Sequence, residues 1–186
     1  MNDTYKICEA CSEFSVLLVD DDEGVRASVY DVLLLFFPTV FSAKDGKEAL
    51  KIYKQRRVDI IITDLTMPKM NGFELIKAVR SINQKQKIIV MSAHTETDII
   101  IESIQSGIDG YLLKPLHTNQ IFETIEKTVI SLKMERDAIA YQEELESIID
   151  NQDKQLIKQF ESDLSTGLPN EEKLISDFKT NKTKLV

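Results

Sequence analysis

The chain has 186 residues, enough for one ordinary domain and an extension. Asp and Glu outnumber Lys and Arg by 31 to 23, a formal charge of −8, which argues against a nucleic-acid partner because basic groups supply most non-specific affinity for phosphate. No apolar run approaches the roughly 18–20 residues of a membrane span, and the opening MNDTYKICEACSEFS lacks the basic start and apolar stretch of a signal peptide, so a cytoplasmic chain with no membrane partner is expected.

Residues 1–14 read as a flexible N-terminal tail that holds both cysteines, Cys8 and Cys11. The C-x-x-C spacing is half a zinc site or a redox pair. A zinc site needs two more ligands, and only His94 and His117, far along the chain, are on offer. Two reduced thiols are the plainer reading.

Five short apolar runs follow, near 16–19, 39–43, 58–63, 87–91 and 110–113. Short apolar runs bounded by turn residues read as buried parallel strands. Helical spacing separates them. Val25, Val29, Val32, Leu33 and Phe36 predict a first helix, and the apolar run 32–37 fits a core helix. Glu48, Ala49, Leu50 and Tyr53 predict a second after Asp45-Gly46, and Phe73, Ile76 and Val79 a third after Asn71-Gly72. Ile100, Ile101 and Ile104 predict a fourth, which Gly107 can terminate. Strict β-α alternation implies an α/β fold, a parallel sheet covered on both faces, with right-handed crossovers.

From 118 to 160 there is no Gly or Pro. Ile125, Val129, Leu132 and Ile139 make one apolar seam, and Leu145, Ile149, Leu156 and Phe160 another. The spacing slips between them, so the heptads are imperfect. Propensity alone does not hold so long a helix. A partner helix would bury the seam in a two-stranded coiled coil and give a homodimer; the alternative is a frayed, solvated helix. Asn151-Gln152-Asp153 weakens the seam.

The acidic residues carry the chemistry. The first strand runs into Asp20, Asp21 and Asp22, the third into Asp64, the fourth into Ser92 and the fifth into Lys114. In open α/β sheets, ligands bind outside the carboxyl ends of the strands. Carboxylates, a hydroxyl and an ammonium at one edge suit a hard cation and a phosphoryl group. Asp21 and Asp64 could ligate Mg²⁺, which takes oxygen ligands from one or two carboxylates, water and phosphate. A carboxylate oxygen can then attack phosphorus. Asp22 alone reads as a helix N-cap.

VLLVDDDEGVR, AKDGKEAL, DIIITDLTMPKMNG, IIVMSA and GYLLKP together resemble the receiver domain of two-component response regulators over residues 15–130. The resemblance implies a flavodoxin-like, doubly wound, five-stranded parallel sheet of order 2-1-3-4-5 with a long C-terminal helical extension. It implies Asp64 as phosphoacceptor, Lys114 as the invariant lysine, and Ser92 and Tyr111 as the switch pair. Mg²⁺, with Mn²⁺ or Ca²⁺ as substitutes, would be held by Asp20, Asp21, Asp64 and the Thr66 backbone carbonyl. Thr66 and His94, two residues beyond Asp64 and Ser92, would tune the lifetime of the acyl phosphate; an ordinary loop role for His94 stays open. The Lys114-Pro115 bond is cis in the family. A histidine kinase or phosphotransfer protein would be the partner, and the face of the fourth helix, fifth strand and fifth helix would carry the signal. Two other readings remain: an interaction module that is never phosphorylated, and a Mg²⁺-dependent phosphohydrolase, for which Thr66 cannot serve as the general acid.

Residues 131–161 then read as a coiled-coil-like linker. DLSTGLPN, at 163–170, resembles the opening of diguanylate cyclase (GGDEF) domains, which makes 162–186 the truncated start of such an output domain. Only 16 residues follow Asn170, so no cyclase activity is expected of this chain, and a longer parent regulator is implied.

Overall fold

The computed structural model describes residues 11–93 and 107–161, with side chains through Lys158. Cys8, His94, the run at Ile100, Ile101 and Ile104, and the 163–170 motif lie outside the described residues. In chain order come β1 (Ser15–Val19), α1 (Glu23–Leu34), β2 (Thr39–Ala43), α2 (Gly46–Gln55), β3 (Ile60–Asp64), α3 (Gly72–Ile82), β4 (Lys87–Ser92), β5 (Gly110–Leu113) and a long helix, Thr118–Glu161. All five strands are parallel, in the order β2-β1-β3-β4-β5. The fold is the expected flavodoxin-like doubly wound sheet.

Side chains alternate across a strand, and here both faces are dry. Val16, Leu18, Ile60, Ile62, Ile89, Met91 and Leu112 face one cluster, with Val29 and Leu33 of α1 and Ile121, Ile125 and Val129 of the long helix. Leu17, Val19, Ile61, Ile88 and Val90 face the other, with Ala49 of α2 and Leu75, Ile76 and Val79 of α3. Burying one such aliphatic side chain is worth roughly 1.5–3 kcal/mol, so the two clusters fix strand register. They thereby fix which residues emerge at the strand ends.

The helices start where their caps dictate. Asp22 Oδ1 accepts the Val25 N–H at 2.9 Å, as its N-cap reading requires. Asp45 caps α2 through the Glu48 N–H at 3.0 Å. Asn71 and Glu74 form a reciprocal capping box at the start of α3. Gly107 has φ +70°, which glycine adopts without penalty. At the opposite end of the sheet from the acidic residues, Lys87 Nζ lies 3.2 Å from Asp109 Oδ1 and 3.3 Å from Ser131 Oγ. That contact ties β4 to the first turns of the long helix.

Three expectations need correction. The 1–14 tail does not extend to its last residues: Cys11 and Phe14 are 0% and 2% exposed and belong to the α1-side cluster. Both are apolar, and that cluster gives them cover. The run 32–37 is not one core helix. α1 ends at Leu34; Leu33 and Phe37 are buried, whereas Leu34 and Leu35 are 48% and 70% exposed. Pro38 disfavours helical geometry at the residue before it. Finally, Ile125 and Val129 are not a seam for a partner helix, because both are buried in the domain core.

The first compact unit ends at Met134. In the second unit, residues 137–158 are exposed on every face of the helix, Ile139, Tyr141, Leu145, Ile148, Ile149, Leu156 and Ile157 among them. No helix among the described residues is long and apolar enough to cross a membrane.

Candidate functional site

The register sets the site. Val19 of β1 lies opposite Ala43 of β2 and Thr63 of β3. Asp64 lies opposite Met91, and Ser92 opposite Leu113. Asp20 and Asp21 therefore leave β1 beside Asp64, and Lys114 leaves β5 beside Ser92. The Lys114 N–H donates to the Ser92 carbonyl at 2.8 Å, and the Lys114-Pro115 bond is cis.

Asp20, Asp21 and Asp64 each offer a carboxylate oxygen, all within 4.8 Å of one another. Asp20 is 0% exposed and Asp64 6%, whereas Asp21 faces solvent. Lys114 Nζ lies 2.8 Å from Asp20 Oδ2 and 3.1 Å from Asp64 Oδ1. The Asp22 N–H donates to Asp20 Oδ1 at 2.9 Å, and the Thr66 N–H to Asp64 Oδ2 at 3.2 Å. Burial pushes the Asp64 carboxyl above the usual carboxylate range; the Lys114 ammonium opposes this, and the charge of Asp20 adds to it. Burial pulls the Lys114 ammonium down, but the hydrogen bonds and charges of Asp20 and Asp64 outweigh it, so its pKa is raised. Asp22 is held below the usual range by the Val25 and Gly24 N–H groups, which suits a cap rather than a ligand.

Three carboxyl groups face a single ammonium here, an excess of acidic oxygen over positive charge. A hard dication with oxygen ligands matches both the charge and the donor chemistry. The acidic pocket therefore fits a divalent cation held by Asp20, Asp21 and Asp64. Anything that binds only the folded state stabilises it, by about 2.7 kcal/mol at a hundred times Kd. Millimolar Mg²⁺ is accordingly expected to raise the melting temperature of the wild-type protein. In Asp21→Asn that increment should shrink severalfold, as thermal unfolding with and without Mg²⁺ would record. Asp21 suits this test because it is exposed, and its loss leaves the core intact.

Ser92 is 1% exposed at the end of β4. Tyr111, opposite Val90, packs partly buried against the α2–α3 cluster. Thr66 is exposed. Beside Lys114, a largely apolar hollow of about 300 Å³ is lined by Val25, Val29, Pro115 and Leu116, among others.

Two contributors are not legible in the sequence pattern. Arg26 Nη1 donates to the Asp20 carbonyl at 2.7 Å and holds the β1–α1 loop from behind. Its i+4 spacing from Asp22 is a helix-surface pattern with no signal of that role. Gly72 lies under the acceptor strand: a Cβ there would be 2.4 Å from the Asp64 carbonyl oxygen. Asn71-Gly72 reads only as a turn.

Residues 16–126 match the family described as the response regulator receiver domain. The chain is 32% identical to chemotaxis protein CheY of Bacillus subtilis over 115 residues, 61% of this chain and 96% of that protein. It is 31% identical to sporulation initiation phosphotransferase F of the same organism over 112 residues, 60% of this chain and 90% of that protein. Among solved structures, chemotaxis response regulator CheY4 of Vibrio cholerae superposes with a TM-score of 0.58 at 34% identity, covering 62% of this chain and 98% of that one. With the sheet order, the acidic edge and the lysine facing it, these likenesses establish that the chain belongs to the response regulator receiver domains, the phosphoacceptor modules of two-component signalling.

Proposed function

We propose that Asp64 is the phosphoacceptor, charged by a histidine kinase or phosphotransfer protein through phosphohistidine. The observation that carries this reading is the Lys114 ammonium held between Asp20 and Asp64 at hydrogen-bond distance from both. An Asp64 carboxylate oxygen attacks phosphorus, the P–N bond breaks with its electrons passing to the imidazole, and an acyl phosphate forms. Asp20, Asp21, Asp64 and the Thr66 carbonyl would hold Mg²⁺, which when bound supplies positive charge against the phosphoryl oxygens; Mn²⁺ or Ca²⁺ would substitute. Lys114 stays as counter-charge to the transferred group. The Ser92 hydroxyl donates to a phosphoryl oxygen, and Tyr111 turns inward behind it. By the family resemblance, Thr66 and His94 would tune the lifetime of the acyl phosphate, an ordinary loop role for His94 staying open. The partner docks beside the apolar hollow at α1 and the Lys114–Leu116 segment. A bias of a few kcal/mol between two pre-existing states suffices for the switch. The decisive experiment is intact-mass measurement after incubation with acetyl phosphate and Mg²⁺. One hydroxylamine-labile adduct supports the reading. No adduct, with Mg²⁺ binding intact, sinks it and favours an interaction module that works without phosphate.

The output we infer is a homodimer through the long helix that governs a diguanylate cyclase domain in a cytoplasmic regulator. Ala138, Tyr141, Leu145 and Ile148 follow one another at three- and four-residue steps, the spacing that two helices bury between them. Tyr141, Leu145 and Ile148 are 63%, 41% and 46% exposed. DLSTGLPN supports the cyclase start by resemblance alone. Light scattering should give twice the chain mass for the wild type and one chain mass for Leu145→Glu with Ile148→Glu. Equal masses would remove the dimer.

A further inference from the structure

The β3–α3 segment, which carries Thr66, is anchored to a second helix by an ion pair that the phosphoryl chemistry above does not use. Lys69 Nζ lies 2.5 Å from Asp45 Oδ2. Asp45 is 2% exposed, and its other oxygen caps α2 through the Glu48 N–H. Lys69 has φ +67°, a left-handed conformation that lysine seldom adopts and that persists only where the surroundings impose it. Next to the pair, the Gly46 N–H donates to the Met70 carbonyl at 3.2 Å. A Cβ at Gly46 would be 2.6 Å from that oxygen. At its far end the segment closes on the acceptor strand, with the Gly72 N–H donating to the Leu65 carbonyl at 3.0 Å. Thr66, with its amide on Asp64 Oδ2, lies between these anchors. Asp45 is held below the usual carboxylate range first by the Lys69 hydrogen bond and then by the Glu48 N–H, so it faces Lys69 as a carboxylate at neutral pH.

We propose that Lys69 and Asp45 are positioning residues for phosphoryl transfer: their ion pair locks the 65–70 segment to the start of α2 and so sets the Thr66 backbone against Asp64 and the cation pocket. The proposal rests on the reading of Asp64 as acceptor for its rate readout, and on the cation pocket alone for its affinity readout.

Charge and position make opposite forecasts. Lys69→Met removes a positive charge near the pocket, and Asp45→Asn removes a negative one. Asn caps a helix about as well as Asp, so the second change spares α2. Acting through space, the two would shift Mg²⁺ affinity in opposite directions. Acting through the lock, both weaken it, and both slow acetyl-phosphate uptake by on the order of tenfold, the scale of a small misplacement at a reacting centre. The double variant should then be no worse than either single, since the lock is already broken, and Lys69→Arg should recover most of the loss. The measurements are Mg²⁺ titration calorimetry and the phosphorylation rate, beside melting temperature. Opposite shifts, or lower melting temperatures with unchanged affinity and rate, overturn the proposal. If the wild-type protein takes up no phosphoryl group, the acceptor reading fails on its own, and the Mg²⁺ titrations still decide the lock.

Discussion

Asp64→Asn is expected to take up no phosphoryl group from acetyl phosphate, and to melt at a higher temperature than the wild-type protein in cation-free buffer. The first outcome follows from the nucleophile: an amide oxygen does not replace a carboxylate in forming the acyl phosphate. The second follows from linkage. Burial raises the Asp64 pKa in the folded state, so the folded protein holds that proton more tightly than the unfolded chain. The contribution is favourable below the unfolded pKa and is lost as pH rises through the folded one. At neutral pH the ionised carboxylate therefore burdens the fold, and the neutral amide removes the burden. Mg²⁺ should reverse the order, because it stabilises the wild type through the carboxylate that the variant lacks. Intact mass reads the uptake, and thermal unfolding of both proteins with and without Mg²⁺ gives the four melting temperatures. The same raised pKa means that phosphorylation should fade on acidification at a higher pH than a solvent-exposed aspartate would give. An Asp64→Asn protein that melts lower in every buffer would show that Asp64 holds the loops together instead.

Gly72→Ala is expected to destabilise by about 1–3 kcal/mol or more, the range for forcing a methyl into packed structure. At this chain length each 1 kcal/mol lowers the melting temperature by roughly 2–4 °C. Helix propensity alone predicts the reverse, a gain of up to about 1 kcal/mol when Ala replaces Gly within a helix. The close approach decides the sign: the added Cβ would be 2.4 Å from the Asp64 carbonyl oxygen and 2.8 Å from the Leu65 Cα. Both are backbone atoms, so relief moves the acceptor strand itself. Gly24→Ala is the matched control. Its Cβ meets only Asp22 Oδ1, the exposed cap oxygen of α1, at 3.3 Å and no backbone atom, so the propensity gain and a slight shift of the cap should offset and its stability change little. Urea unfolding of the pair separates contact from propensity, and the phosphorylation rate of Gly72→Ala reports how far Asp64 has moved.

Much of this molecule was legible in the sequence because strand ends coincide with changes of chemistry. Val16–Val19 followed by Asp20, and Ile60–Ile62 followed by Asp64, mark both a buried strand and the edge at which it stops. The cap role of Asp22 was readable too, since a short acidic side chain before an apolar helical pattern has a local use. What was not readable depends on contacts far apart in sequence. The burial of Cys11 and Phe14 needs the long helix and α1 in place. Ile125 and Val129 have the spacing of a seam, but spacing does not say whether a sheet or a second helix covers it. The left-handed Lys69 has no local signal either, and its ammonium pairs with Asp45, 24 positions earlier.

The burial of Cys11 and Phe14 bears on how the module can be moved between proteins. The receiver-domain match spans residues 16–126, yet Cys11, Phe14 and Val129, in the same apolar cluster, lie outside it at both ends. The buried core thus reaches beyond the matched stretch at both ends. A chimera joined at residue 16 would strip two plugs from one side of the sheet and leave a greasy opening near its lower rim. Swaps of sensory input or output should therefore be spliced ahead of Cys11 and beyond Met134.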